Sequence, residues 1–398
     1  MAFDVAAFRA GFPSLASGIA HFDNPGGTQT PTVVGEAIAR TLTGPLSQRG
    51  SGTLSQRNAE EAVAGFRSAI ADLLGGVPGG VVHGRSATAL TYDFSRTLAK
   101  TWSPGDEVVV CELDHDSNVR PWVQAAERAG VAVKWLRLVP ETGELDLSSL
   151  DVITSRTRLV ALTAASNLLG TRSPVATVAA RAHEVGALVY VDAVHHAAHA
   201  APDIATMGAD LVVCSPYKFF GPHCGALVAD PALLETLRPD KLVPSTDAVP
   251  ERFELGTLPY ELLAGATAAI DLIASLGTGT SRRERLVSAA ALVAEHELRL
   301  RVRIEDGLAA LGDHLTLHSR AADRTSTLFV TLRDRRPSDV HELLAKQDVL
   351  VPAGTFYAYE TFRALGLPVD AGLRIGLAAY TDDSDVDRLL EGLADAIA

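Results

Sequence analysis

Cysteine is scarce: the 398 residues contain three, Cys111, Cys214 and Cys224. The count is odd, and the spacing fits neither a CxxC pair nor a zinc site. No metal site and no disulfide framework are expected. Cys111 and Cys214 end the apolar runs EVVVC and ADLVVC, so they read as buried strand residues, the usual fate of free cysteine. Reduced thiols suit the cytoplasm, which is the expected location. Long apolar runs are missing too. No window reaches the roughly 18 uninterrupted apolar residues of a spanning helix, and the start, MAFDVAAFRAGFPSLASGIA, lacks the basic-then-apolar order of a signal peptide. Basic charge is in deficit, with Lys plus Arg at 35 against Asp plus Glu at 48, a formal charge of −13. That balance argues against sequence-independent nucleic-acid binding and leaves room for a local pocket for a small anion. Neither nucleic acid nor a membrane is expected as a partner. There is no internal repeat and no low-complexity tail. No GxGxxG or P-loop follows a strand, which weakens a nucleotide-binding reading.

What is present is an ordinary globular composition, 47% hydrophobic and 21% charged, long enough for two domains. The middle of the chain alternates short β-rich runs with helical ones. GVVHG, EVVVCEL, VAVKWLRL, RLVALTAAS, ALVYVDA, ADLVVCS and GALVAD are nearly all apolar, as strands buried on both faces are. Helical spacing lies between them over 86–100, 118–129 and 174–185. The pattern predicts an α/β domain with a mostly parallel sheet. From about Gly265 the pattern becomes α+β: helices over 264–276 and 282–311, β-rich STLFVTLR and GLRIGLAA, and helices over 339–347 and 384–397. We expect a large domain over 21–264 and a smaller one formed by 1–20 and 265–398.

Ligands of such sheets sit beyond the carboxyl ends of the strands, so the residues that follow each strand matter most. Ser86 and Ala87 open a helix after GVVHG, either as a plain N-cap or as an anion cradle. His115 follows EVVVCEL as a surface loop residue, or as a flat ring able to stack on a planar cofactor or move protons. Asn167 follows RLVALTAAS, as a turn residue or a donor to a ring hydroxyl. Asp192 ends ALVYV, where a carboxylate is costly unless paired. It is a cap, or the partner of a pyridinium nitrogen. Lys218 follows ADLVVCS within SPYKFFGP; a lysine in an apolar pocket has a lowered pKa and can form a Schiff base.

As a set, these segments resemble the class V aminotransferases of pyridoxal-phosphate (PLP) fold type I, in the cysteine desulfurase-like branch. The resemblance runs from His21-Phe22-Asp23-Asn24 to Arg374 and the last helix. It is carried by DHDSNVRPW (114–122), SNLLGTRSPV (166–175), VDAVHHAAH (191–199), SPYKFFGP (215–222), RFELGT (252–257) and LRIGLAAY (373–380). It implies PLP as cofactor, an amino acid as substrate and a homodimer with shared active sites. By the same resemblance Lys218 carries the cofactor as a Schiff base, Asp192 pairs with the pyridine nitrogen, His115 stacks on the ring and Asn167 lies near the ring hydroxyl. Ser86, Ala87 and Ser215 hold the phosphate, Thr257 reaches the phosphate of the neighbouring subunit, and Arg374 clamps the substrate carboxylate with its planar fork.

Three departures from the family pattern stand out. Tyr217 precedes the lysine where relatives usually have His. His195 stands where they often have Gln. Desulfurases carry a cysteine on a loop after the segment matching DVLVPAG (348–354); here the loop reads Thr355-Phe356-Tyr357-Ala358, and Tyr357 takes that place. A phenol cannot hold sulfur as a persulfide, although it can donate a hydrogen bond. The expected activity is therefore C–S cleavage by β-elimination from cysteine or an S-substituted cysteine. Transamination, epimerisation and decarboxylation in specialised metabolism stay open as alternatives, because all begin at the same Cα. A non-catalytic sulfur-relay or regulatory relative is a further alternative, supported only by the missing loop cysteine.

Overall fold

A computed structural model describes residues 3–397. Seven strands form the main sheet: β1 (Val81–Gly84), β2 (Glu107–Cys111), β3 (Ala132–Leu136), β4 (Thr157–Thr163), β5 (Leu188–Asp192), β6 (Leu211–Cys214) and β7 (Gly225–Ala229). Their order is β1-β7-β6-β5-β4-β2-β3. Only β7 runs against its neighbours; the pairs β2–β3, β2–β4, β4–β5 and β5–β6 are parallel.

The apolar runs are explained by burial on both faces. In β2, Val109 and Cys111 enter one core while Val108 and Val110 enter the other. β6 divides in the same way, Val212 and Cys214 against Leu211 and Val213, which is the two-residue period of a strand. All three cysteines are free and buried. One face is covered by helices that include α2 (Leu54–Leu74), α5 (Val175–Glu184) and α6 (Tyr260–Ser275), with α1 (Thr32–Thr43) packed on α6. The other is covered by α3 (Ala87–Ala99) and α4 (Arg120–Ala129). Fully burying one Val or Leu side chain contributes about 1.5–3 kcal/mol, so these two apolar layers dominate the stability of this region.

A second sheet of three antiparallel strands, β8 (Leu315–Leu317), β9 (Thr327–Leu332) and β10 (Gly372–Gly376), follows the 29-residue helix α7 (Arg282–Ala310). With α8 (Pro337–Ala345) and α9 (Asp383–Ile397) it encloses a separate core around Leu300, Ile304, Leu328, Ile375 and Leu389. The amino-terminal segment joins this part. Phe8 and Phe12 pack near Tyr380 and Val293, Arg9 bonds Asp382 at 3.0 Å and Asp385 at 2.6 Å, and Ala20–His21 pairs with Val349–Leu350.

The long helices α1 and α2, and the short helices Val5–Arg9, Ile204–Met207, Pro231–Thr236 and Tyr359–Ala364, lie outside the helical ranges expected from the sequence. α6 also begins at Tyr260, four residues ahead of the expected start at Ala264, with Pro259 at its N-cap. It packs on α1 and α2, so the expected boundary at 264/265 falls inside a helix of the large unit. We propose that the division lies instead between Ser275 and Arg282. Among the described residues no helix is long and apolar enough to cross a membrane.

Candidate active site

The carboxyl ends of β1, β2, β4, β5 and β6 converge on a cavity of about 430 Å3, which the second sheet closes from the side. Each strand end delivers one of the anticipated groups. Past β1, Ser86 caps α3 by accepting from the Ala89 N–H at 3.1 Å, and Ala87 follows at the helix start, where unpaired N–H groups favour an anion. A Cβ at Gly225 in β7 would lie 2.4 Å from the Ser86 carbonyl carbon and 2.6 Å from the Ala87 nitrogen. Only glycine lets β7 pass beneath this helix start.

Past β2, Asp114 anchors the chain. It accepts from Asn118 Nδ2 at 2.9 Å and from the Thr163 N–H at 3.0 Å, and burial raises its pKa well above the usual range. The next residue, His115, turns into the cavity. Its Nδ1 accepts the Ser117 N–H at 3.0 Å, which assigns the ring proton to Nε2. Burial, reinforced by Lys218 and Arg374, lowers its pKa to about 3, so the ring is neutral.

Asp192 is the last residue of β5 and 5% exposed. Its Oδ1 accepts the Val194 N–H at 2.8 Å. Burial lifts its pKa to about 6 against the pull of that hydrogen bond and of Lys218. Past β6, Ser215 is buried and Lys218 is 9% exposed. Lys218 Nζ donates to the Pro25 carbonyl and lies 4.8 Å from the centre of the Tyr217 ring. Burial, then Arg374, lowers its pKa to about 7, while Asp23 and Asp192 act in the opposite sense. A buried amine near neutrality is a nucleophile and a base at physiological pH.

The second sheet contributes Arg374 from β10. Its Nη2 bonds Asp23 at 2.8 Å and its Nη1 donates to the Asn167 carbonyl at 3.2 Å. The Phe356 ring covers it, with 4.3 Å between guanidinium carbon and ring centre. Asn167 Nδ2 donates to the Phe356 carbonyl at 2.8 Å. His195 Nε2 lies between the hydroxyls of Thr325 and Thr327 at 3.0 and 3.1 Å. Tyr217 stacks on His223 with centres 4.7 Å apart, and Tyr357 stands over His115.

Eleven of the twelve anticipated site residues therefore line one cavity: Ser86, Ala87, His115, Asn167, Asp192, His195, Ser215, Tyr217, Lys218, Tyr357 and Arg374. Thr257 does not. It is exposed, bonds Gln48 Nε2 at 3.1 Å, and borders a separate cleft with His83 and Arg85. Asp23 and Phe356 line the cavity without having been singled out. Asp23 stands in the sequence only as part of a strand start, because its partner Arg374 is 351 residues away. Phe356 carries no local signal either, because its role depends on distant Arg374.

Three polar atoms on this wall are buried without a hydrogen-bond partner: Asn167 Oδ1, His195 Nδ1 and Arg374 Nε. Each such atom costs about 1–3 kcal/mol, so three on one wall mark a site shaped for a polar ligand. The donor set fits pyridoxal phosphate. An amine is available for its aldehyde, a carboxylate for its ring nitrogen, a flat neutral ring for its face, and a helix start for its phosphate. Among the described residues there is no cluster of three or more His, Cys, Asp or Glu that would hold a metal ion.

Fold and site together define a pyridoxal-phosphate-dependent enzyme of fold type I. The chain belongs to the aminotransferase class-V family, whose profile matches residues 20–389. It is 32% identical over 404 residues to an uncharacterized protein of Mycobacterium tuberculosis, covering 99% of both chains. To a cysteine desulfurase of Pectobacterium atrosepticum it is 29% identical over 416 residues, covering 99% of this chain and 98% of the relative. The crystal structure of the cysteine desulfurase CsdA of Escherichia coli superposes with a TM-score of 0.87 at 26% identity, over 100% of this chain and 99% of that one. The protein is thus a cysteine desulfurase-like enzyme that acts on a small amino-acid substrate with pyridoxal phosphate as cofactor.

Proposed function

We propose that the enzyme cleaves the C–S bond of cysteine or an S-substituted cysteine by β-elimination, without passing sulfur to a protein thiol. The supporting observation is the loop at 355–358. Tyr357 stands where a sulfur-accepting cysteine is expected, and none of the three cysteines lines the cavity. Burial also pushes the thiols of Cys111, Cys214 and Cys224 upward, the last to about 12, so none is a thiolate at neutral pH.

Pyridoxal phosphate, when bound, supplies an aldehyde that condenses with amines and a ring that accepts an electron pair from the adjacent carbon. In our assignment Lys218 is the amine that would hold that aldehyde and the base that would take the Cα proton. Its lowered pKa is what lets an uncharged amine be present there near pH 7. Asp192 would pair with the ring nitrogen and keep it protonated. Asn167, whose Oδ1 has no internal partner, would accept from the ring hydroxyl, and His195 would line the cofactor pocket. Ser86, Ala87 and Ser215 hold the phosphate. Arg374 orients the substrate carboxylate, using the Nε that has no internal partner. The Cα–H and Cβ–S bonds break. Sulfur leaves with the bonding pair and is protonated to a thiol, and water converts the three-carbon remainder to pyruvate and ammonium. No oxidant or reductant is needed.

We also propose a homodimer in which Thr257 completes the neighbouring subunit's phosphate site. Support comes from its exposure on a segment that carries Leu255 61% exposed. The free thiols favour a cytoplasmic location. The decisive test is incubation of the holoenzyme with cysteine and S-methylcysteine. Equal amounts of thiol or sulfide, pyruvate and ammonium are expected. Alanine together with enzyme-bound persulfide would refute elimination.

A further inference from the structure

We propose that the Phe356–Tyr357 step is a clamp for a flat, unsaturated group on the substrate sulfur, so that the preferred substrate is an aromatic thioether of cysteine rather than cysteine itself. This rests on the elimination reading and adds the nature of the leaving group to it.

Both residues sit in the left-handed region, Phe356 at φ 51° and Tyr357 at φ 54°, where a bulky side chain is strained. Such strain persists only where surrounding contacts over-determine it, and here they do. The Phe356 carbonyl accepts from Asn167 at 2.8 Å, the Tyr357 carbonyl accepts from the Asp116 N–H at 2.7 Å, and the Ala358 N–H closes on the Thr355 carbonyl at 3.0 Å. The loop is held to the rim of the site at two points and closed on itself by a third bond.

The two rings have different surroundings. Phe356 points inward, over the Arg374 guanidinium at 4.3 Å and edge-on to Phe329 at 6.5 Å. Tyr357 lies against His115, with centres 5.3 Å apart and planes 28° from parallel, yet it remains 70% exposed. Lys218 and Arg374 are buried in the same cavity, Arg374 directly beneath the Phe356 ring. In this proposal a substrate held by its carboxylate at Arg374 and its Cα at Lys218 carries its sulfur substituent along the Phe356–Tyr357 step to Tyr357, the outer and more exposed ring. There the substituent meets an aromatic surface already built from two stacked rings. A planar group continues that stack, whereas a saturated group of equal length does not.

The test compares S-benzylcysteine with S-(cyclohexylmethyl)cysteine, which match in length but differ in flatness; because the benzyl thiol is also the more acidic leaving group, the reading is the change in their ratio between wild type and Tyr357→Ala. For the holoenzyme, kcat/KM measured by thiol release is expected to favour the benzyl compound about tenfold, the scale of one good stacking contact. Tyr357→Phe keeps the ratio, and Tyr357→Ala lowers it by about fivefold or more. Calorimetry with the two corresponding thioether propanoates, which lack the amine and cannot react, should show the same pattern in Kd. A ratio that is the same in wild type and Tyr357→Ala overturns the clamp. If both thioethers are eliminated without preference, the clamp fails and elimination stands. If neither is eliminated but the propanoates still discriminate through Tyr357, elimination fails and the clamp stands.

Discussion

Arg374 and Asp23 meet inside the cavity as a 2.8 Å ion pair between a guanidinium that is almost fully buried and a carboxylate that is about one-third exposed. The pair leaves Arg374 Nε unpaired. One edge of the fork is thus held by Asp23 and the Asn167 carbonyl while a donor stays available for substrate. A lysine keeps the charge but has no planar fork with which to serve three acceptors at once. In Arg374→Lys, KM for the amino acid is expected to rise at least about tenfold with a smaller fall in kcat, the pattern of lost substrate anchoring. The visible spectrum of the bound cofactor should be unchanged. Initial-rate kinetics check this, and an unaltered KM would remove Arg374 from the carboxylate site.

Lys218 provides a pH signature whose direction follows from its neighbours. Its pKa is lowered to about 7 by burial and by Arg374, and is drawn back up by Asp23 and Asp192. Below that value the amine is protonated and cannot attack an aldehyde; above it the neutral amine predominates. The rate at which apoenzyme captures pyridoxal phosphate should therefore rise with pH and level off past about 7. Removing a negative neighbour lowers the amine's pKa further, so Asp23→Asn should move the midpoint to lower pH. Removing the positive neighbour, in Arg374→Gln, should move it higher. Stopped-flow absorbance across pH 5 to 9 reads both shifts. Shifts of the same sign in the two variants would contradict this electrostatic account.

Much of this site is legible in the sequence because a parallel sheet collects strand ends. Once ALVYV and ADLVVC are read as adjacent buried strands, Asp192 and Lys218 must face one crevice, and the same logic places His115 and Asn167. The helices were less legible where their partners are remote. Leu54–Leu74 begins with a complete capping box, Thr53 with Gln56, a local signal open to reading. The start of α6 at Tyr260 reflects packing on α1 and α2, which no local pattern reports. Phe356 and Asp23 escaped notice for a related reason. Each acts by touching Arg374, and the chain separation between Asp23 and Arg374 is 351 residues. The left-handed backbone of Phe356 and Tyr357 is likewise imposed by bonds from Asn167 and Asp116 rather than by a glycine in the loop.

Thr257 is the anticipated site residue that stands apart from its own cavity, and its position leads to a prediction about assembly. It is exposed next to Gly256, whose φ of 84° turns the segment outward. If this hydroxyl serves the phosphate of a neighbouring subunit, Thr257→Ala should weaken cofactor retention about tenfold, the value of one hydrogen bond to a charged group. The defect should also appear in trans. In hybrids pairing a Thr257→Ala subunit with a Lys218→Ala subunit, the only lysine-bearing site receives an intact threonine from its partner and should retain cofactor normally. Homodimers of Thr257→Ala should release it. Dialysis followed by absorbance measures both, and sedimentation fixes the oligomeric state. Equal loss of cofactor from hybrid and homodimer would mean that Thr257 acts within its own chain, and a monomeric holoenzyme with full retention would exclude the shared site.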